Sequence, residues 1–186
     1  CSFEDQVPNM ASGLQQRIGA IGCAAMDVNT ACTSFLYGLS TATAMIRGGV
    51  VQNALVIGAE IITPYMDWND RNVAVLFGDG AAAVVLQATQ NEEGLLAEKL
   101  GCFGDAREIL RIHGMGCAYA NQGRLYGVTS WQFEGQEIFK RAVLGMSEAS
   151  AAALAKRELT ADDIQLVVPH QANLRIIEAV AKRAGI

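Results

Sequence analysis

Apolar residues recur along this 186-residue chain with two alternating periods, one helical and one extended. Ala11, Leu14 and Ile18 fall on one face of a predicted helix from Met10 to Ile18, just after a turn at Pro8. Ala24 to Val28 is a short apolar run that predicts a buried strand. From Thr33 to Arg47, residues Phe35, Leu36, Leu39, Ala42, Met45 and Ile46 return at helical spacing, and Gly48-Gly49 ends the helix. Gly38 inside that helix costs about 1 kcal/mol relative to alanine, which predicts a close backbone contact there. Asn53 to Ala59 is apolar almost without break, as expected of a fully buried strand. Thr63 to Arg71 predicts a loop, and Phe77-Gly78-Asp79-Gly80 a tight turn into a strand from Ala81 to Gln87.

The polar stretch Thr89 to Gly94 is the best candidate boundary between two halves. Beyond it the pattern predicts a weaker strand over Leu95 to Leu100 and a glycine-rich, irregular region reaching Thr129. A helix is predicted from Gly135 to Lys156, with Phe139, Val143, Met146, Ala149 and Ala153 along one stripe. Leu159 to Asp163 reads as a loop with capping chemistry, Gln165 to Val168 as a strand, and Asn173 to Arg183 as a final helix. Strands alternating with helices predict an α/β fold whose sheets have covered faces.

Composition narrows the classes. With 51% hydrophobic and 18% charged residues the chain is not disordered. A net charge of −5 with scattered basic residues gives no nucleic-acid footprint. No apolar run reaches the roughly 18 residues of a membrane span, and no signal peptide opens the chain. The five cysteines (Cys1, Cys23, Cys32, Cys102, Cys117) form neither a CxxC pair nor a zinc spacing, and their odd number argues against a disulfide framework. A reducing, cytoplasmic setting is expected. The chain opens on Cys1 rather than Met and stops at Ile186 just past a helix, so an internal piece of a longer protein is expected.

The chemistry gathers at two points. Cys32 stands where the Ala24–Val28 run gives way to a long apolar helix. A thiol attacks as its thiolate, and the positive end of a helix dipole favours that form. His170 lies in Leu166-Val-Val-Pro-His-Gln-Ala-Asn173, at a second strand-to-helix junction. A nucleophilic thiol and a histidine so placed suit acyl transfer on a thioester. Cys23, Cys102 and Cys117 read as small packed cysteines, and His113 as structural or surface.

Asp27-Val-x-x-Ala-Cys-x-x-Phe35, Phe77-Gly-Asp-Gly80, Gly135-Gln-Glu-Ile-Phe139 and Val168-Pro-His-Gln-Ala-Asn173 occur in this order over essentially the whole chain. Together they resemble β-ketoacyl-acyl carrier protein synthase III, a family of the thiolase-like fold. The resemblance implies layered sheets with buried central helices, incomplete at both termini. Residues 1–91 would be the C-terminal part of the first thiolase-like half, with Cys32. Residues 92–186 would be the N-terminal part of the second, with His170.

In that family the cysteine takes an acyl group from acyl-coenzyme A. The resulting enzyme thioester then undergoes Claisen condensation with the enolate left when malonyl-acyl carrier protein loses CO2. The resemblance implies that the Cys32 N–H helps hold the first oxyanion and that His170 donates to the thioester carbonyl in the second step. The family's further asparagine, in Gly-Asn-Thr-Ser, lies beyond Ile186, so this piece alone is expected to be inactive. Arg71 would pack on the coenzyme A adenine, Asn173 would bond the pantetheine arm, and Gly135 and Phe139 would line its tunnel. Arg175 would dock the acidic carrier protein. An ordinary solvated arginine is the alternative at both Arg71 and Arg175. Val7 would reach across a homodimer interface to limit acyl length, and its small size implies a longer or branched starter.

Thr33-Ser34 departs from the small residue and glycine of many members, and its hydroxyls are expected to cap the helix. The resemblance implies no cofactor or metal beyond the two substrates, and no nucleic-acid or membrane partner. A biosynthetic thiolase, a thiolase-fold acyltransferase forming esters, and a non-catalytic truncated scaffold stay open. A redox or metal-binding thiol protein lacks its ligands.

Overall fold

In the computed structural model, residue 2 and residues 7–91, 93–114 and 129–185 are described. They fall in two compact units, Cys1–Ile62 with Gly78–Glu93, and Thr63–Phe77 with Gly94–Ile186. The Thr63–Phe77 segment, read above as part of the first half, groups with the second unit.

The first unit is a helix packed on a hairpin. Strand β1 (Asn53–Glu60) pairs antiparallel with β2 (Gly80–Gln87), in register from Asn53 opposite Gln87 to Glu60 opposite Gly80. Helix α1 (Met10–Arg17) precedes helix α2 (Ser34–Arg47), and α2 lies on β1. The fit is close enough to require glycine. A Cβ at Gly38 would stand 3.1 Å from a Val56 methyl, which supplies the close contact expected there. One helical turn earlier, Phe35 packs on Gly58, where an added Cβ would meet its ring at 3.4 Å. The Asp79 carboxylate accepts from the Ile62 N–H at 2.8 Å, fastening the end of β1 to the turn that begins β2. Helix α2 stops at Gly48, and Gly49 takes φ +71° as the chain leaves it.

Two expectations fail in this unit. Ala24 to Val28 forms no strand among the described residues, and Ala24 to Asp27 are exposed. An apolar run becomes a strand only with a partner for its N–H and C=O groups. Here helix α1 holds the run instead, through Asn9 Nδ2 to Ala25 O at 3.2 Å and Gln15 Nε2 to Cys23 O at 3.0 Å. Strand β1 is covered chiefly on its α2 face: Val56 is buried, while Leu55 on the opposite face is 46% exposed.

In the second unit, helix α3 (Arg71–Ala74) is capped by Asp70, whose carboxylate accepts from the Asn72 N–H at 3.0 Å. Val73 of this helix is the most deeply buried side chain described. Strand β3 (Leu110–His113), in the region expected to be irregular, and strand β4 (Ser130–Phe133), just beyond it, form a short antiparallel pair. Trp131 Nε1 and Thr129 Oγ1 both donate to the Tyr65 carbonyl, and Phe77 lies 4.8 Å from the Trp131 ring. Residues 115–128, including Cys117, and Cys1 lie outside the described residues.

Helix α4 (Gly135–Ala155) packs on helix α5 (Leu174–Ala184), burying Ile176 and Val180. Arg141 of α4 bonds Glu137 and Asp105 and lies over the Phe103 ring, tying the 103–105 turn to the helix. The expected strands Leu95–Leu100 and Gln165–Val168 do not form among the described residues. The reason is the same as for Ala24–Val28. Leu166 and Val168 are more than three-quarters exposed, with no ladder to receive them. No described helix is long and apolar enough to cross a membrane.

Candidate active site

Cys32 lies on a single 3-10 turn, Ala31–Thr33, that leads directly into α2. The turn starts from a strained residue, since Ala31 has φ +52°, a conformation that side chains other than glycine rarely adopt. The neighbouring hydroxyls brace it. Ser34 Oγ donates to Ala31 O at 2.7 Å and accepts from the Thr30 N–H at 2.8 Å, while Thr33 Oγ1 donates to Thr30 O at 2.9 Å. Thr33 and Ser34 therefore bind back into the turn. Thr33 stands at the cap position of α2 without capping it through its side chain, which corrects the expected role.

Cys32 is solvent-accessible, yet enough protein flanks its sulfur to disfavour the charged form. Loss of solvation pushes the thiol pKa up, and the Glu60 carboxylate adds to the rise. The Cys32 N–H acts the other way and is outweighed. The turn at the head of α2 does not by itself yield the thiolate that the sequence led one to expect. A sulfur in this setting attacks once a base or an incoming substrate takes its proton.

The second unit holds most of the other candidates. His170 is exposed, on the stretch without regular structure that leads to α5. Asn173 is the α5 cap, its side-chain oxygen accepting from the Ile176 N–H at 3.0 Å. That bond commits its Oδ1 and leaves its NH2 group for other partners. Arg175 is exposed in the first turn of α5, and Arg71 is exposed at the start of α3. Gly135 and Phe139 stand one turn apart at the start of α4, where Gly135 faces the Phe133 ring. A cavity of about 330 Å³ opens there, lined by Glu134, Gly135, Gln136, Glu137 and Lys140. Another, of about 610 Å³, runs between the 161–169 stretch and α5; Pro169 lines it and His170 does not.

His170, Asn173 and Arg175 thus lie at the approach to and start of α5, and Gly135 and Phe139 at the start of α4. Val7, in the first unit with Cys32, is 86% exposed. Two residues escaped the reading of the sequence. Asp27 accepts from the Met10 and Ala11 N–H groups at 3.0 and 2.9 Å, so it caps α1 from 16 positions away. Glu60 was hidden at the end of an apolar strand, although its place in the two-residue alternation with Val56 and Gly58 was a signal.

Comparison with known proteins decides the family. The model for 3-oxoacyl-[acyl-carrier-protein (ACP)] synthase III matches residues 26–104, and the model for its C-terminal part matches residues 154–186. The first stretch contains Cys32 and the second His170. The chain belongs to the 3-oxoacyl-[acyl-carrier-protein] synthase III family. It is 46% identical over all of its 186 residues to β-ketoacyl-[acyl-carrier-protein] synthase III 2 of Vibrio cholerae, of which it covers 51%.

Among solved structures, the synthase III of Aquifex aeolicus matches with TM-score 0.86 at 37% identity, over 98% of this chain and 55% of that one. The synthase III of Pseudomonas aeruginosa matches with TM-score 0.89 at 33% identity, over 100% of this chain and 56% of that one. The fold is thiolase-like, as the motifs implied. The chain spans about half the length of the curated relatives it matches.

Proposed function

We propose that this chain carries the nucleophile and the imidazole of a condensing enzyme that joins an acyl-coenzyme A starter to malonyl-acyl carrier protein. Cys32 sulfur attacks the starter's carbonyl, the carbon–sulfur bond to coenzyme A breaks, and the leaving thiolate takes up the sulfur's proton. The Cys32 N–H helps hold the intermediate oxyanion. Malonyl-acyl carrier protein then loses CO2, and its enolate carbon attacks the Cys32 thioester, forming the carbon–carbon bond and freeing the sulfur. His170 donates a hydrogen bond to the carbonyl oxygen on which charge develops, an effect usually worth a few kcal/mol per donor.

The observation that carries this reading is the alignment of all 186 residues, at 46% identity, with 51% of a protein named for that activity. Two family-model matches, each containing one of the two reacting side chains, support it. In the same reading Arg71 meets the coenzyme A adenine, Asn173 the pantetheine arm, and Gly135 with Phe139 the tunnel around it. Arg175, exposed on α5, meets the acidic carrier protein, and Val7 bounds the acyl pocket at a homodimer interface. The enzyme is cytoplasmic, initiates fatty acid or related synthesis, and uses no cofactor. Residues 1–91 and 92–186 serve as parts of its two thiolase-like halves.

The test is turnover by the full protein with acyl-coenzyme A and malonyl-acyl carrier protein, followed by mass spectrometry of the carrier protein. A 3-oxoacyl product two carbons longer than the starter is expected. Transfer of the acyl group to an alcohol, or release of an uncondensed acid, contradicts the reading.

A further inference from the structure

The loop that carries Arg71 is closed by one side chain of β4. Trp131 donates its Nε1–H to the Tyr65 carbonyl at 2.8 Å, and its ring centroid lies 4.8 Å from that of Phe77. Tyr65 and Phe77 stand near the two ends of the Thr63–Phe77 segment, so the indole grips it at entry and at exit. Thr129 Oγ1 is a second donor to the same carbonyl at 3.0 Å, which occupies both lone pairs. Phe77 also meets the Phe133 ring edge-on, at 6.3 Å.

Between these grips the segment is tied by its own short-range bonds. The Met66 N–H donates to Thr63 O, the Asp67 carboxylate accepts from the Asn69 N–H at 2.9 Å, and Asp70 caps α3. Met66 and Val73 are buried, and α3 packs on β4. A loop so tied internally keeps its shape, and its placement depends on where its ends are fastened. Arg71 is exposed, and among the described residues its guanidinium has no hydrogen bond or ion pair. Its position is therefore set by the backbone that bears it, and through that backbone by β4.

We propose that Trp131 is a positioning residue for Arg71, holding the 63–77 loop so that the guanidinium stands where the nucleotide end of coenzyme A arrives. The inference rests on the proposed contact between Arg71 and the adenine; the grip of β4 on the loop does not. A cation on a loop fastened at both ends meets its ligand already placed, with less freedom to lose on binding.

The test compares two donors in the full protein, an acyl-coenzyme A and the same acyl group on pantetheine, which lacks the nucleotide. Trp131→Phe keeps an aromatic ring toward Phe77 and removes the N–H. It should lower kcat/KM for acylation by acyl-coenzyme A about three- to tenfold, the span of one hydrogen bond, and by far less for acyl-pantetheine. A general loss of structure would lower both alike. In an Arg71→Ala background the same substitution should cost acyl-coenzyme A nothing further, because the two act through one contact. Hydrogen exchange in Trp131→Phe should quicken at the Val73, Ala74 and Leu76 amides and not in α5. Thr129→Val removes the other donor, should act the same way by less, and decides if Trp131→Phe fails to fold. Unchanged exchange in the loop, equal losses with both donors, or losses that add in the double variant overturn the proposal. Failure of the underlying reading shows separately: Arg71→Ala would then use acyl-coenzyme A as well as the wild type does, and the proposal would fall with it.

Discussion

The Cys32 and His170 junctions look alike in sequence, an apolar run feeding a helix, yet they are built differently. At Cys32 the helix is seated on a strand through glycine-mediated contacts at Gly38 and Gly58. The turn before it is braced by Thr30, Thr33 and Ser34. At His170 the support comes from behind. Asn173 caps α5, α5 buries Ile176 and Val180 against α4, and the stretch bearing the histidine has no regular structure, with Leu166 and Val168 exposed. A helix can be positioned by a single neighbouring surface. A strand needs other strands, and the apolar runs at these two junctions, Ala24–Val28 and Gln165–Val168, lack them among the described residues.

The sharpest way to separate the two junctions is by reaction step. Cys32→Ala should abolish both acylation by acyl-coenzyme A and condensation. His170→Ala should leave acylation of Cys32 largely intact and lower condensation by about 10²–10³-fold, read as single-turnover rates for each step. Equal loss of both steps in His170→Ala would dissolve the distinction. Next in size, Ile176→Ala removes the anchor of α5 and should lower unfolding free energy by about 2–4 kcal/mol in denaturant melts.

Asn173→Ala should cost about 1 kcal/mol through loss of the cap, with Asn173→Ser recovering most of it. The smallest effect concerns Thr160 and Asp163, which form a reciprocal capping box ahead of the 165–170 stretch. The Thr160 N–H holds the Asp163 carboxyl below the usual aspartate range. A depressed folded-state value means its contribution is present above the ordinary aspartate pKa and is lost as pH falls through the folded one. The protection factor of the Thr160 N–H, its exchange rate divided into the intrinsic rate at each pH, should therefore fall in acid in the wild type and change less in Asp163→Asn.

Helices were legible because amphipathic spacing and stop signals act locally. Met10, Arg47, Gly135 and the Asn173 cap fall within a residue or so of their expected places. Gly38 was legible too, since a glycine inside a good helix demands a reason. Strand coverage was not legible, because burial of Leu55 or Val168 depends on partners that a local apolar pattern cannot specify. The β3–β4 pair escaped for a related reason: two four-residue strands separated by a long connection carry no periodicity worth reading. Within the site, the motifs marked Cys32 and His170. The role of Asp27 comes from a contact between segments that spacing does not reveal, whereas Ser34 bonds back within its own turn.

The central claim is that Cys32 becomes an acyl thioester. Intact-protein and peptide mass spectrometry after exposure to a panel of acyl-coenzyme A donors measures this directly. The account predicts a mass gain of one acyl group on the peptide containing Cys32, sensitive to hydroxylamine and absent in Cys32→Ala. A gain on Cys23 or Cys102 instead, or no gain from any donor in the full protein, would contradict it.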